Sequence, residues 1–177
     1  MFINIFLIVI LGFLLLVVLT VAMHLWLGAP YVPTPMHIVR RMVALADLQS
    51  GEVVYDLGAG DARLLITAKK QTPEITAIGY ELVPTVWLLG RLRILFSRTS
   101  ILWHMRDVRT ADFHDADCIF LYLLPGVLEQ LLPVFDAQLK SGTRVISSVF
   151  PLAGREPERT ETVQWMGRER KVRVYRW

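Results

Sequence analysis

Val54-Tyr55-Asp56-Leu57-Gly58-Ala59-Gly60-Asp61-Ala62-Arg63 is the stretch that decides how this chain folds. An apolar run ends in an acid, two glycines follow at alternate positions, and the sequence then passes into residues that suit a helix. A strand running through a glycine turn into a helix is the opening unit of a doubly wound sheet. Glycine reaches backbone angles closed to other residues. Gly58 and Gly60 therefore let a ligand approach the main chain, where the next helix is expected to present unpaired N–H groups. Asp56 puts a carboxylate where a ligand amine or a backbone donor would sit. A tight turn that only preserves the sheet would use the same residues, so the surrounding pattern has to decide.

That pattern alternates. Glu52 to Leu57 predicts the first strand and Ala62 to Gln71 its helix, then Ile75 to Tyr80 a strand and Val83 to Phe96 a helix. Ile101 to His104, Cys118 to Leu123 and Arg144 to Phe150 follow as strands, with Val127 to Leu139 helical between the last two. Strands separated by crossover helices predict an α/β fold with a largely parallel, doubly wound sheet. Thr162 to Met166 and Val172 to Tyr175, separated by Gly167-Arg168-Glu169-Arg170, predict an antiparallel hairpin that brings the sheet to seven strands. Upstream, Met36 to Leu48 carries an apolar stripe of Ile38, Met42, Leu45 and Leu48. The prolines of residues 30–35 predict an extended joint before it.

Two further acids stand at strand ends. Glu81 follows Ile78-Gly79-Tyr80, at 23 residues from Gly58, the spacing at which such a fold offers a carboxylate to ribose hydroxyls. An ordinary solvated acid is the alternative. Asp107, in Trp103-His104-Met105-Arg106-Asp107-Val108, is placed to accept from an adenine amine while apolar neighbours such as Val108 hold the ring. The competing reading is a loop acid paired with Arg106 or Arg109.

Charge divides the chain. The 177 residues are 54% hydrophobic, but the first 39 contain no Asp, Glu, Lys or Arg, so all 19 basic and 16 acidic residues lie beyond them. Ile5 to Met23 is an uncharged run of nineteen residues, about 28 Å as a helix against a hydrocarbon core of roughly 30 Å. Trp26 beside His24 would anchor it at the interface. A secretory signal would want a basic start and a small-residue cleavage site, and the sequence begins Met-Phe-Ile-Asn. The expected division is an anchor over residues 1–29 and one domain over 30–177. Arg40 and Arg41 downstream favour a cytoplasmic domain by the positive-inside tendency. Cys118 is the only cysteine, which excludes an intrachain disulfide and argues against structural zinc. The four histidines are dispersed, and no metal site is expected. The net charge of +3 is small, and the basic residues near 168–176, without interleaved aromatics, suggest anionic lipid or a solvated face rather than nucleic acid.

Together, Asp56-Leu57-Gly58-Ala59-Gly60, Glu81 and Asp107 resemble the cofactor-binding positions of class I S-adenosylmethionine-dependent methyltransferases. More narrowly, residues 31–150 resemble the small membrane-anchored protein-lysine methyltransferases related to the enzyme that modifies the ATP synthase c subunit, a group similar in its site to Dot1-like histone-lysine enzymes. The features that carry this are Tyr31-Val32-Pro33-Thr34-Pro35 after the anchor, Tyr55-Asp56-Leu57-Gly58 with Asp61 and Arg63, Gly79-Tyr80-Glu81-Leu82, and Phe150-Pro151. The resemblance implies S-adenosylmethionine as cofactor, a Rossmann-like sheet, and a segment before the first strand that closes over the cofactor, with Tyr31 and Thr34 at its methionine end. Ala62 departs from the pattern, because many class I enzymes have a third glycine there.

The implied reaction needs no covalent intermediate, since a neutral amine placed in line with a sulfonium can attack directly. Desolvation in the acceptor channel lowers a lysine pKa. Tyr122, in Leu121-Tyr122-Leu123-Leu124-Pro125, is the candidate for orienting the amine or lining its channel, and Pro125 for shaping the turn. Simple packing after the fourth strand would explain both. The expected substrate is a lysine-containing membrane or membrane-associated protein, with the bilayer as second partner. The alternatives are a lipid-like or quinone-like small molecule, a nucleotide-dependent oxidoreductase and a non-catalytic scaffold. A Tyr-X-X-X-Lys pair after the fourth strand, which would favour an oxidoreductase, is missing.

Overall fold

A computed structural model describes residues 2–27, 31–165 and 167–177, with backbone alone at Phe2 and over 23–27. The side chains of His24 and Trp26, expected at a membrane interface, lie outside the described set. Helix α1 (Phe2–Leu27) is followed by α2 (Met36–Ala46), β1 (Val53–Leu57), α3 (Arg63–Gln71), β2 (Thr76–Glu81), α4 (Pro84–Ser97) and β3 (Leu102–Met105). A short 3-10 turn, Val108–Thr110, leads to β4 (Cys118–Leu121), α5 (Pro125–Gln138), β5 (Arg144–Ser148), β6 (Arg159–Trp165) and β7 (Arg168–Arg176).

The seven strands form one sheet in the order β3-β2-β1-β4-β5-β7-β6. All pairs from β3 to β5 are parallel, while β7 runs antiparallel to both β5 and β6. The sequence expectation of a mostly parallel Rossmann-like sheet with an antiparallel hairpin is met, with longer hairpin strands. The sequence reads charged Arg168 to Arg170 as part of the turn. They belong to β7, where they pair with β6 beyond the end of β5 and so stay largely exposed. Central β4 (Cys-Ile-Phe-Leu) is buried throughout, as a strand covered on both faces must be. It ends at Leu121, two residues before the expected Leu123, because Pro125 opens α5 and the residue before a proline avoids helical angles.

The helices are distributed unevenly over the two faces. On one face α2, α3 and α4 bury Ile38, Met42, Leu65, Ile94 and Trp103 against the sheet. On the other, α5 and the loop after β3 enclose Tyr55, Phe113, Leu131 and Phe135. A fully buried side chain of this size stabilises by about 1.5–3 kcal/mol, so α2, with six buried residues along one stripe, is held by packing. Trp103 fixes the approach of α4 to the sheet. A Cβ on Gly79 of β2 or Gly90 of α4 would stand 2.3 Å from its ring atoms, so only glycine fits at either place.

Within α1, the 20 residues Ile3–Ala22 are long and apolar enough to cross a bilayer. They are exposed except at Leu16 and Thr20, which are half-buried. The Thr20 hydroxyl is hydrogen bonded to the Thr85 hydroxyl at 2.8 Å, joining α1 to the first turn of α4. At the far side of the sheet β5 ends in a strained three-residue turn. Val149 adopts φ +73°, and the Phe150 N–H donates to the Ser148 carbonyl at 2.9 Å.

Candidate active site

The strand order reverses between β1 and β4, where a doubly wound sheet opens a crevice at the carboxyl ends of its strands. A cavity of about 560 Å³ lies there. Tyr31, Thr34, Asp56, Gly58, Gly60, Glu81, Asp107, Val108 and Tyr122 all line it, although the sequence spreads them over more than ninety positions. Pro125 does not line it. It sits exposed at the first position of α5, where a fixed φ suits the helix start, so it shapes the turn and touches no ligand.

The glycine turn is tighter than expected. Gly58 and Gly60 have φ of +75° and +59°, and a Cβ would meet Leu123 Cδ2 at 2.7 Å in the first case and Tyr31 Cε2 at 3.1 Å in the second. The N–H groups of the turn itself are engaged. The N–H groups of Gly58 and Ala59 donate to the Tyr80 carbonyl at 3.0 and 2.9 Å, and that of Gly60 donates to Glu81 Oε2 at 2.9 Å. Neighbouring β2 saturates the donors that a phosphate would need. Ala62, in place of a third glycine, is buried at φ +64° directly before α3, a left-handed position costing a non-glycine residue about 1–2 kcal/mol.

Asp56 forms the floor. Its carboxyl is buried, takes no hydrogen bond among the described residues, and is pushed up to about 8 by burial and by the nearby acids Glu81 and Asp61. A carboxyl in this position is short of a positive partner, and a ligand ammonium would provide one. Glu81 divides its oxygens between two N–H groups, Oε2 to Gly60 and Oε1 to Val83, both at 2.9 Å. It ties the glycine turn to β2 while facing the cavity.

Asp107 accepts from the Arg109 backbone N–H at 2.9 Å and from its guanidinium at 2.5–3.0 Å. Those hydrogen bonds hold its carboxyl below the usual range. The alternative pairing with Arg109 is thus present at the cavity wall, and a ligand amine would share the acid with that arginine. Arg109 reaches on to Gln130 Oε1 at 3.1 Å, and buried Val108 supplies the apolar surface beside it.

A polar network holds the segment before α2 over this site. Buried Asp61 receives Arg63 Nε at 2.7 Å and Arg93 Nη1 at 2.5 Å, and the Tyr31 hydroxyl is hydrogen bonded to it. Burial alone would raise its carboxyl, but Arg63 first, then Arg93 and Tyr31, hold it below the ordinary range. Arg63 Nη1 also donates to the Thr34 carbonyl at 2.8 Å. The Tyr31 phenol is pushed up to about 12, mainly by burial and then by Asp61, and keeps its proton. The sequence singles out Asp61 and Arg63 without giving them a role and does not point to Arg93, whose place in the network depends on how α4 packs.

Tyr122, half-buried beyond the end of β4, stands with its ring 5.4 Å from that of Trp165. Burial raises its phenol, against a smaller opposing effect of Arg170, so it acts as a neutral hydroxyl. Among the described residues no histidine lines the cavity. The arrangement can thus take an organic cation over a buried acid and offers an apolar, hydroxyl-bearing wall to an incoming group. It fits S-adenosylmethionine: Asp56 and the Tyr31–Thr34 segment would hold the methionine end, Glu81 the ribose, and Asp107 with Val108 the adenine. The cofactor would supply an electrophilic methyl group.

Comparisons with known proteins support the cofactor and the family. The family described as the ANTKMT methyltransferase domain matches residues 56–159. A protein-lysine N-methyltransferase of Saccharolobus islandicus (strain REY15A) is 35% identical over 139 residues, 76% of this chain and 85% of that protein. The adenine nucleotide translocase lysine N-methyltransferase of Mus musculus is 34% identical over 74% of this chain, which spans 57% of the mouse protein's length. Among solved structures, an RNA methyltransferase from Salinibacter ruber in complex with S-adenosyl-L-homocysteine superposes with a TM-score of 0.74 at 33% identity, covering 82% of this chain and 93% of that one.

Proposed function

Because the chain belongs to the ANTKMT methyltransferase family and is an S-adenosylmethionine-dependent methyltransferase, we propose that it methylates lysine side chains of a membrane or membrane-associated protein. The observation that carries this reading is the attachment of a bilayer-length helix to the segment that covers the cavity. An enzyme held this way meets bilayer-associated acceptors at high local concentration. The names of the Saccharolobus and mouse relatives supply the lysine. Arg40 and Arg41 beyond the span favour a cytoplasmic domain.

The chain's own residues account for the chemistry. Asp56 would balance the charge of the methionine ammonium, the Tyr31–Thr34 segment would exclude water, and the neutral Tyr122 hydroxyl would orient the acceptor amine. Among the described residues no histidine lines the wall, and desolvation at the apolar wall would favour the neutral amine. A nucleotide-dependent oxidoreductase is disfavoured, since the Gly58, Ala59 and Gly60 N–H groups that would hold a pyrophosphate are engaged with β2.

The name of the Salinibacter relative supports one second reading, an RNA acceptor. Membranes containing the full chain, incubated with methyl-labelled S-adenosylmethionine, separate the possibilities. Label in a protein band, recovered as methyl-lysine and lost with Asp56→Ala, supports the proposal. Label in extracted lipid or in RNA overturns it.

A further inference from the structure

One face of α4 is left uncovered. Val86, Gly90 and Ile94 are buried on the sheet, whereas Leu88, Leu89, Leu92, Leu95 and Phe96 are 42–80% exposed. At 100° per residue these five fall within an arc of about 120°. Thr85 lies inside the same arc, and it is the residue that meets Thr20 of α1. Arg91 and Arg93 stand at the two edges, the positions from which long cationic side chains reach a polar surface above an apolar one.

The level of the contact with α1 locates this face. Leu16 and Thr20 stand about 9 and 3 Å inside the end of the span at Ala22, at 1.5 Å per residue. The first turn of α4 is therefore level with the last turns of the span. Interfacial helices bury their apolar face about 5–10 Å into the headgroup and acyl boundary.

Beside Phe96 a hollow of about 730 Å³ opens between α2, α3 and α4. Arg40, Arg63, Lys70 and Arg93 line it, and no acid does. Asp61 occupies Arg63 and Arg93, while Arg40 and Lys70 have no ion-pair partner among the described residues. An apolar ridge at bilayer depth with a cationic hollow at its side matches the two halves of an anionic phospholipid.

We propose that the exposed face of α4 lies in the surface of the bilayer that α1 crosses, with the hollow at Arg40 and Lys70 taking the phosphate of an anionic lipid headgroup. This rests on α1 spanning the membrane and not on the acceptor's identity, so lysine transfer can fail while the lipid contact stands. The arrangement sets Arg93, and through Asp61 the Tyr31 cover, beside the lipid surface.

The test uses the full chain in phosphatidylcholine vesicles with and without phosphatidylglycerol. Cys118 is buried, so a fluorophore on Phe96→Cys or, as a control before β5, four strands away from β3 in the sheet, on Ser141→Cys reports one place. Both parent side chains are exposed, and neither change disturbs the core. Brominated lipid is expected to remove most of the fluorescence at position 96 and to leave position 141 unaffected. Brominated phosphatidylglycerol should quench more than brominated phosphatidylcholine, a preference that falls about fivefold for each of Arg40→Gln and Lys70→Gln. Quenching at position 96 by aqueous iodide instead of brominated lipid would overturn the proposal. So would disulfide-linked pairs through Phe96→Cys, which would assign the face to a second copy of the chain, and equal quenching by the two lipids would remove the headgroup site.

Discussion

The two sides of the sheet's reversal point differ in how completely their polar groups are engaged. On the cofactor side, β1 to β3 with α2 to α4, the turn N–H groups are bonded to β2 and Asp61 holds three partners. On the proposed acceptor side, beyond β4, Tyr122 packs beside the Trp165 ring, the Ser148 hydroxyl is buried without a hydrogen-bond partner among the described residues, and Val149 sits at a positive φ. The turn donors are satisfied before a ligand arrives and leave the Asp56 carboxyl as the unpaired group facing it, whereas beyond β4 the unused polar capacity lies in hydroxyls.

The largest effect that tests this division is at Asp56. Asp56→Asn is expected to weaken cofactor binding roughly 10- to 100-fold, the worth of a charge-assisted contact, measured by calorimetric titration with the fold checked by circular dichroism. An unchanged affinity would break the division. The same carboxyl links stability to pH. It ionises near 8 when folded and near 4 when unfolded, so the folded state holds its proton better. This contribution is full below about pH 4 and is lost as the pH rises towards 8. Thermal unfolding of the cofactor-free protein should show that slope, and Asp56→Asn should flatten it.

Gly60→Ala comes next. A methyl at φ +59° and 3.1 Å from Tyr31 costs about 1–2 kcal/mol and displaces the cover, so the KM for cofactor should rise roughly tenfold with kcat nearly preserved. Tyr122→Phe should act on the other side, lowering kcat about fivefold by loss of one hydrogen bond while cofactor affinity stays the same. A fall in cofactor affinity would place Tyr122 with the wrong half. The smallest effect is at Val149→Gly. Relief of the positive φ offsets the loss of a half-buried side chain, and denaturant unfolding should shift by less than about 1 kcal/mol.

The cofactor side was also the legible side. Strand, glycine turn and strand-end acids follow the order of a doubly wound sheet, so sequence alone could bring Asp56, Gly58, Gly60, Glu81 and Asp107 to one crevice, and they line the same cavity. The state of the turn could not, because the partners that occupy its N–H groups belong to β2. Arg93 was equally hidden, since its pairing with Asp61 exists only once Gly90 lets α4 settle on Trp103. Gly90 itself was a usable sign, as a glycine inside a helix costs about 1 kcal/mol and calls for a packing reason. The Val149 turn left no mark, because nothing in Ser148-Val149-Phe150 signals a positive φ at a branched residue.

The sheet order also sets a schedule for synthesis. The five parallel strands can assemble once β5 has emerged, but they then end in an open edge of β5. β6 follows, and its only neighbour in the finished sheet is β7, which has yet to be made. Until residues 168–176 arrive to slot between them, a nascent chain already held at a membrane by its first helix carries an unpaired strand edge, which is a template for wrong pairing. Ribosome pausing or truncation in that window would therefore yield aggregates at the bilayer rather than a smaller working domain.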